Sequence, residues 1–291
     1  MSAAAWPRSV VVPAAGLGTR LAPLTLGAAK ELLPLGAYPA LTATLLEATA
    51  AGVRELIVVT APSKPQLSHF FTALQALASH PQGAAPQTMA LAQLLTGLSV
   101  RLVEQPAAFG VLESVSRGLL LTEAPCAVVF PDLVHLPDQT ALTRLFAAHA
   151  ACGQAVIGLR RSDPARPGGN AVAVQLAPGL DRVLQKAAAT GEPLPIYAVA
   201  KARGEPGELL TTFGQIHTTA LGEAINACCR VRPEAPLADD GFVHALQLLA
   251  STGKLYGVLL PGEVIDLGSL PGYLDAAGRF LSRRAGLRGL P

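Results

Sequence analysis

Charge is what this sequence has least of. Asp, Glu, Lys and Arg make up only 14% of its 291 residues, while 51% are hydrophobic. Against a usual charged share of about 25% this excludes an intrinsically disordered chain, and the length is enough for a sizeable core. The 22 basic and 20 acidic residues nearly cancel to a net charge of +2 and form no block of one sign, which argues against a nucleic-acid partner. Long unbroken apolar runs are missing, and the N-terminus lacks a basic segment leading into an apolar stretch and a small-residue cleavage site. The expectation is therefore no membrane span and a cytoplasmic location. Cysteine is scarce. Cys126, Cys152, Cys228 and Cys229 show no CxxC spacing, so neither a zinc site nor a disulfide framework is indicated and buried free thiols are expected. Residues 65–100 contain no charged side chain. A surface helix normally carries some, so Leu74, Leu77, Leu91 and Leu94 are expected to be buried or to form a subunit contact, in a homo-oligomer such as a dimer or tetramer.

What is present is an alternation. Short β-branched or apolar runs at 9–12, 55–60, 99–104, 127–130 and 155–159 read as buried strands. Stretches of helical spacing at 39–51, 65–78, 111–121 and 139–151 lie between them. Alternating strands and helices imply right-handed crossovers and an α/β fold whose mainly parallel central sheet is covered on both faces. After residue 160 the rhythm changes. Pro164, Pro167, Gly168 and Gly169 mark a turn, and 171–175 and 182–185 read as strands. A helix is expected at 240–250, strands at 255–260 and 264–267, and a last helix at 272–283. Residues 1–160 and 161–291 thus form two halves, the second smaller and richer in strands.

Directly after the first strand stands Gly16-Leu17-Gly18-Thr19-Arg20, a turn that lets backbone N–H groups approach an anion closely. It is not a dinucleotide fingerprint, which would need glycine where Leu21 stands, and no Gly-Lys-Ser/Thr of a P-loop occurs. The same glycines would serve an ordinary strand-to-helix turn. Two cations follow, Arg20 and, within Ala28-Ala29-Lys30-Glu31-Leu32-Leu33-Pro34-Leu35, Lys30. Asp132 and Asp266 come just after or at the end of expected strands, where α/β proteins bind ligands and where hard oxygen donors suit Mg²⁺; an Asp in such a place also serves as a cap or turn residue. The histidines show no metal-ligand spacing. His69 and His244 fall in helical stretches and receive no role.

The segment from Pro13 to Leu21, together with Lys30-Glu31-Leu32-Leu33-Pro34-Leu35, resembles the signature of the sugar-1-phosphate nucleotidyltransferases, or sugar-nucleotide pyrophosphorylases. With Ser63-Lys64 and His69-Phe70 it is most similar to bacterial UTP-glucose-1-phosphate uridylyltransferases. The likeness returns at residues 105–110, at Pro131-Asp132, around Gln185-Lys186 and in the segment from Asp266 to Tyr273. It implies a Rossmann-like, three-layer nucleotide-diphospho-sugar transferase fold with a nucleotide-binding and a sugar-phosphate-binding half. It also implies Mg²⁺-dependent formation of UDP-glucose and pyrophosphate from UTP and glucose 1-phosphate. By the same resemblance Arg20 and Lys30 are the catalytic cations, and Ala15, Gly16, Gly18, Gln105 and Gly110 hold the nucleotide. Asn170, Gln185 and Lys186 hold the sugar phosphate, and Asp132 and Asp266 bind the metal. Because every participant in this chemistry is an anion, fixed cations and a metal supply what it needs, neutralisation and alignment.

The chain departs from the family pattern at four places. Ala29 replaces proline, Leu112 and Glu113 interrupt a glycine-containing loop, Gln185 replaces Glu, and Gly214-Gln215-Ile216-His217 replaces a Gly-Arg-Tyr-like segment. These departures leave two alternatives beside the lead: a weakly active or non-catalytic sugar-nucleotide-binding homologue, and the same reaction with dTTP or another sugar 1-phosphate.

Overall fold

The β-branched runs pair side by side. In chain order the first part of the protein forms β1 (Ser9–Pro13), a short ribbon of β2 (Pro34–Leu35) and β3 (Tyr38–Pro39), α1 (Leu41–Ala50), β4 (Glu55–Thr60), α2 (Pro65–Ser79) and α3 (Pro86–Leu94). Then come β5 (Ser99–Glu104), α4 (Val111–Leu119), β6 (Cys126–Val129), β7 (Leu133–Leu136), α5 (Ala141–Cys152) and β8 (Ala155–Arg161). The later part adds β9 (Val172–Leu176), α6 (Leu184–Thr190), β10 (Leu194–Lys201), β11 (Leu209–His217) and α7 (Thr219–Val231). It closes with α8 (Asp240–Ser251), β12 (Leu255–Leu259), β13 (Glu263–Asp266) and α9 (Leu270–Ser282). This computed structural model describes residues 6–80, 84–106, 110–136, 140–162, 172–177, 183–203, 205, 207–231 and 240–282.

Nine strands form one sheet in the order β5-β4-β1-β6-β11-β8-β12-β10-β9. Strands β5, β4, β1 and β6 run parallel, as the alternation predicts. β11 then lies between β6 and β8, antiparallel to both, so the sheet is parallel through the first half and mixed beyond it. Strands from either side of residue 160 interleave in this one sheet. Alternation along each strand divides the core into two layers: Val10 and Val12 of β1 and Leu56 and Val58 of β4 face one, Val11, Ile57 and Val59 the other. Helices α1, α2, α3 and α5 cover the first layer; α4, α7 and α8 cover the second. The result is a three-layer α/β fold. The ribbon of β7 and β13 packs separately at the C-terminal end of β6. Glu47, buried at the end of α1, accepts hydrogen bonds from the Leu142 N–H at 3.0 Å and the Ala141 N–H at 3.4 Å, capping the positive end of α5.

One expectation changes, and another holds for three of its four leucines. Residues 184–190 are helical: Leu184 and Ala187 supply its buried side, and the strong helix formers Ala187, Ala188 and Ala189 outweigh the short strand-like run before them. In the uncharged segment Leu74, Leu91 and Leu94 turn inward and Leu77 is half-buried, while Ser68, Thr72, Gln75 and Ser79 face outward on α2. Uncharged polar groups thus clothe a helix that needs no charge to meet water. Cys126 is a buried free thiol and Cys152 and Cys228 are partly buried. Among the described residues no helix is long and apolar enough to cross a membrane.

Candidate active site

A cavity of about 510 Å³ opens across the C-terminal ends of β5, β1 and β6 and along the antiparallel β11, which contributes Thr211, Thr212 and Gln215. Its floor is the turn after β1. Gly18 adopts the left-handed conformation at φ 69°, and a Cβ there would lie 3.1 Å from the Thr25 methyl and 3.5 Å from Lys30 Cβ. The backbone therefore favours glycine, and a side chain there would also crowd Thr25. The turn is anchored from below. Lys64 donates to the Ala14 carbonyl at 2.7 Å and to both carboxylate oxygens of Glu31 at 2.9 and 3.0 Å. Both partners are buried, and burial pushes the Glu31 carboxyl up and the Lys64 ammonium down, partly offset by their mutual attraction. This pair ties the glycine turn to the segment that carries Lys30.

Lys30 meets Asp132 at 2.5 Å. Burial alone would lower the Lys30 ammonium, but Asp132 and Glu31 outweigh it and hold the group above the usual lysine value. For Asp132, burial is overridden by Lys30 and Arg20, which hold the carboxyl below the usual carboxylate range. Asp266, the last residue of β13, comes alongside because Leu267 N–H donates to the Asp132 carbonyl at 2.7 Å. Its Oδ1 accepts the Gly268 N–H, also at 2.7 Å. Where Gly268 lacks a side chain, three charged groups converge. A Cβ at that point would lie 2.9 Å from Asp266 Oδ1, 3.2 Å from Asp132 Oδ2 and 3.3 Å from Arg20 Nη2. Two carboxylate oxygens around a cradle that a single carbon would fill suit Mg²⁺, which takes one or two carboxylates and completes its shell with water and phosphate. Among the described residues no third acidic, His or Cys side chain joins them.

Ala15, Gly16, Gly18, Arg20, Lys30, Gln105, Gly110, Asp132 and Asp266 all line this cavity. Gln185 and Lys186 do not. Both are exposed on α6, and Lys186 lies 3.9 Å from Glu192 with its side chain 73% exposed; helix formation there turns both side chains to solvent. Asn170 lies outside the described residues. Glu113 is turned along α4, where it accepts from Arg117 at 2.7 Å, so its charge is neutralised locally. Sequence reasoning passed over Ser114, Arg160, Thr211 and Thr212, which line the cavity as well. Gln105 Oε1, Ser114 Oγ and Thr212 Oγ1 are buried without a hydrogen-bond partner among the described residues. Buried polar atoms left unpaired beside a cavity are open to a water or a ligand. No sequence signal gives this, because a missing partner is a property of the assembled fold.

The profile of the nucleotidyl transferase family matches residues 9–173. The chain belongs to the nucleotidyl transferase family. Within it, the chain is 25% identical over 276 residues to a Bacillus subtilis (strain 168) protein provisionally named a UTP–glucose-1-phosphate uridylyltransferase, covering 92% of this chain and 94% of that one. Its fold resembles that of a UDP-glucose pyrophosphorylase complexed with UDP-glucose, with a TM-score of 0.76 at 19% identity, covering 96% of this chain and 100% of the other. It also resembles a UTP-bound enzyme of that type from Acinetobacter baumannii, with a TM-score of 0.74 at 21% identity over 97% and 95% of the two chains.

Proposed function

We propose that this member of the family joins UTP to glucose 1-phosphate, giving UDP-glucose and pyrophosphate. The observation that carries this reading is the convergence of Arg20, Asp132 and Asp266 on one point beside Lys30 and the glycine turn. That is the machinery for aligning polyanions rather than for acid–base chemistry. The names of the similar proteins support it. On this reading Gln105 and Ser114, at β5 and α4, meet the base edge, the turn after β1 meets the phosphates, and the sugar lies toward β11. Gln105 offers an amide that both donates and accepts, which matches a uracil edge. Arg20 and Lys30 neutralise the triphosphate, and an oxygen of the sugar phosphate attacks the α-phosphorus in line. The bond to the β-phosphate oxygen breaks, and pyrophosphate leaves with that electron pair. Mg²⁺, held by Asp132 and Asp266, would supply further neutralisation of the phosphates. Lys30, which rests on Asp132 in this structure, is then placed to turn its ammonium to phosphate.

A second reading, a sugar-nucleotide-binding protein without efficient turnover, is favoured by one observation, the exposure of Gln185 and Lys186 away from the cavity. Calorimetric titration with UTP and with uridine tests the phosphate cradle common to both readings. Arg20→Ala and Lys30→Ala each remove a charge aimed at phosphate, so UTP should bind about tenfold to a hundredfold more weakly with uridine little changed. Equal losses for the two ligands contradict the assignment.

A further inference from the structure

One wall of the cavity is built from β11, and it holds polar groups that nothing described so far uses. The register of β11 breaks at this point: Thr212 pairs with Gly158 of β8 and Gln215 with the adjacent Ile157, so three steps along β11 meet one step along β8. Such irregularities re-aim side chains and occur beside active sites. Thr212 and Gln215 both line the cavity, and both are buried, at 4% and 3% exposure. Thr212 Oγ1 has no hydrogen-bond partner among the described residues. The Gln215 side chain is gripped from behind: its Oε1 lies 3.2 Å from Nε2 of His217, itself 1% exposed.

The chemistry of that grip orients the amide. Burial pushes the His217 imidazole down to about 3, so the ring is neutral at ordinary pH and carries one proton. Nδ1 is buried without a partner among the described residues. An unpaired lone pair there is less unfavourable than an unpaired N–H, so the proton is assigned to Nε2, which donates to Gln215 Oε1. The amide nitrogen of Gln215 is thereby left to the cavity side, a neutral donor lining the same cavity as the neutral Thr212 hydroxyl. A charged ligand group would find no countercharge in this pair, whereas a hydroxyl can accept from the amide and exchange a hydrogen bond with Thr212.

We propose that Thr212 and Gln215, the latter oriented by His217 as a positioning residue, form the recognition pair for the hydroxyl groups of the sugar moiety. This rests on the reading of the cavity as a sugar-nucleotide site, and it follows the order of the sheet. β11 is flanked by β6, which leads into Asp132, and stands three strands from β4 and four from β5. A ligand with its base at β5 and its phosphates at β1 and β6 therefore brings its sugar to β11. It also accounts for a sugar site from which Gln185 and Lys186 are absent.

Calorimetric titration of the full chain with UDP and, separately, UDP-glucose tests it. Thr212→Val keeps the shape and removes the hydroxyl. UDP-glucose should then bind about threefold to tenfold more weakly, with UDP unchanged. The midpoint of thermal unfolding should rise, because a buried unpaired group has gone; a purely structural threonine would not show these opposite signs. His217→Phe should give the same selective loss, and His217→Gln, which returns an N–H donor at that place, should restore it. If His217→Phe does not fold, Thr212→Val decides alone. Equal losses for UDP and UDP-glucose, or none, overturn the recognition pair while the nucleotide site stands. So does a wild-type protein that binds UDP and UDP-glucose equally well. A wild-type protein that binds neither ligand overturns the underlying reading and the pair with it.

Discussion

Replacing Gly268 by alanine puts one methyl group at the place where the account locates the cation. The backbone there is outside the left-handed region, so alanine is admissible and the test is one of space alone. Its Cβ would stand 2.9 Å from Asp266 Oδ1, 3.2 Å from Asp132 Oδ2 and 3.3 Å from Arg20 Nη2, closer than a carbon and an oxygen rest comfortably. Three charged groups must each move by some tenths of an ångström, and the space between the two carboxylates closes. Overpacking of this kind costs about 1 to 3 kcal/mol of stability in the ion-free protein, and because the methyl group fills the space the ion would take, ion affinity should fall by about tenfold or more. The reduced freedom of the unfolded chain offsets about 0.4 to 1 kcal/mol of the stability cost. Electron paramagnetic resonance of Mn²⁺ titrated into the nucleotide-free protein reads the ion's affinity directly, and thermal unfolding checks the fold. A variant that folds normally and binds Mn²⁺ as the parent does would refute the cradle.

Three further outcomes follow from buried groups. Ser114→Ala should leave the empty protein as stable or slightly more so, because Ser114 Oγ has no partner among the described residues, and should weaken uridine binding by about 0.5 to 1.5 kcal/mol in calorimetry; unchanged affinity would remove Ser114 from the base pocket. His217 makes stability depend on pH with a defined sign: its native value is pushed down to about 3 from an ordinary 6.5, so below 6.5 the unfolded chain binds a proton that the native one refuses. Stability should fall by up to about 2 kcal/mol between pH 6.5 and pH 5 from this residue, and urea unfolding of His217→Phe should lack that component. Lys64→Met strands Glu31 in the interior and should destabilise by about 3 to 5 kcal/mol, much of it regained in the Lys64→Met/Glu31→Leu double variant; a fully stable single variant would show the pair to be dispensable.

The glycine turn, Lys30 and the two aspartates were legible as candidates because they stand beside expected strand ends, but each alone is a weak signal and their roles came from the resemblance to the family. The parallel half of the sheet was legible because its β-branched runs alternate with helical spacing. β10 was not, because Pro195 within the run speaks against a strand, yet it stands near the start of β10, where Pro195 faces Tyr256 of β12. β11 was hidden by Gly214, whose ideal Cβ would lie 2.9 Å from the Val128 carbonyl; close packing against β6 demands glycine in a place where sequence alone reads an interruption. Ser114 belongs to a run that reads as plain helix, Arg160 stands just past the run at 155–159, and Thr212 lies in β11, which the sequence alone does not reveal, so only the folded chain shows that they border the cavity. In the uncharged segment at 65–100 the lack of charge pointed to buried leucines, as Leu74, Leu91 and Leu94 are, while uncharged Ser68, Thr72, Gln75 and Ser79 supply the outward face of α2.

Pyrophosphate release is the most direct test of the whole account. The purified protein, given UTP, glucose 1-phosphate and Mg²⁺, should form pyrophosphate and UDP-glucose in equal amounts. Omission of any one of the three should abolish the signal, and Asp132→Asn should reduce it by about a hundredfold or more. UTP binding without pyrophosphate release for any sugar 1-phosphate would contradict the proposed reaction and leave a binding protein in its place.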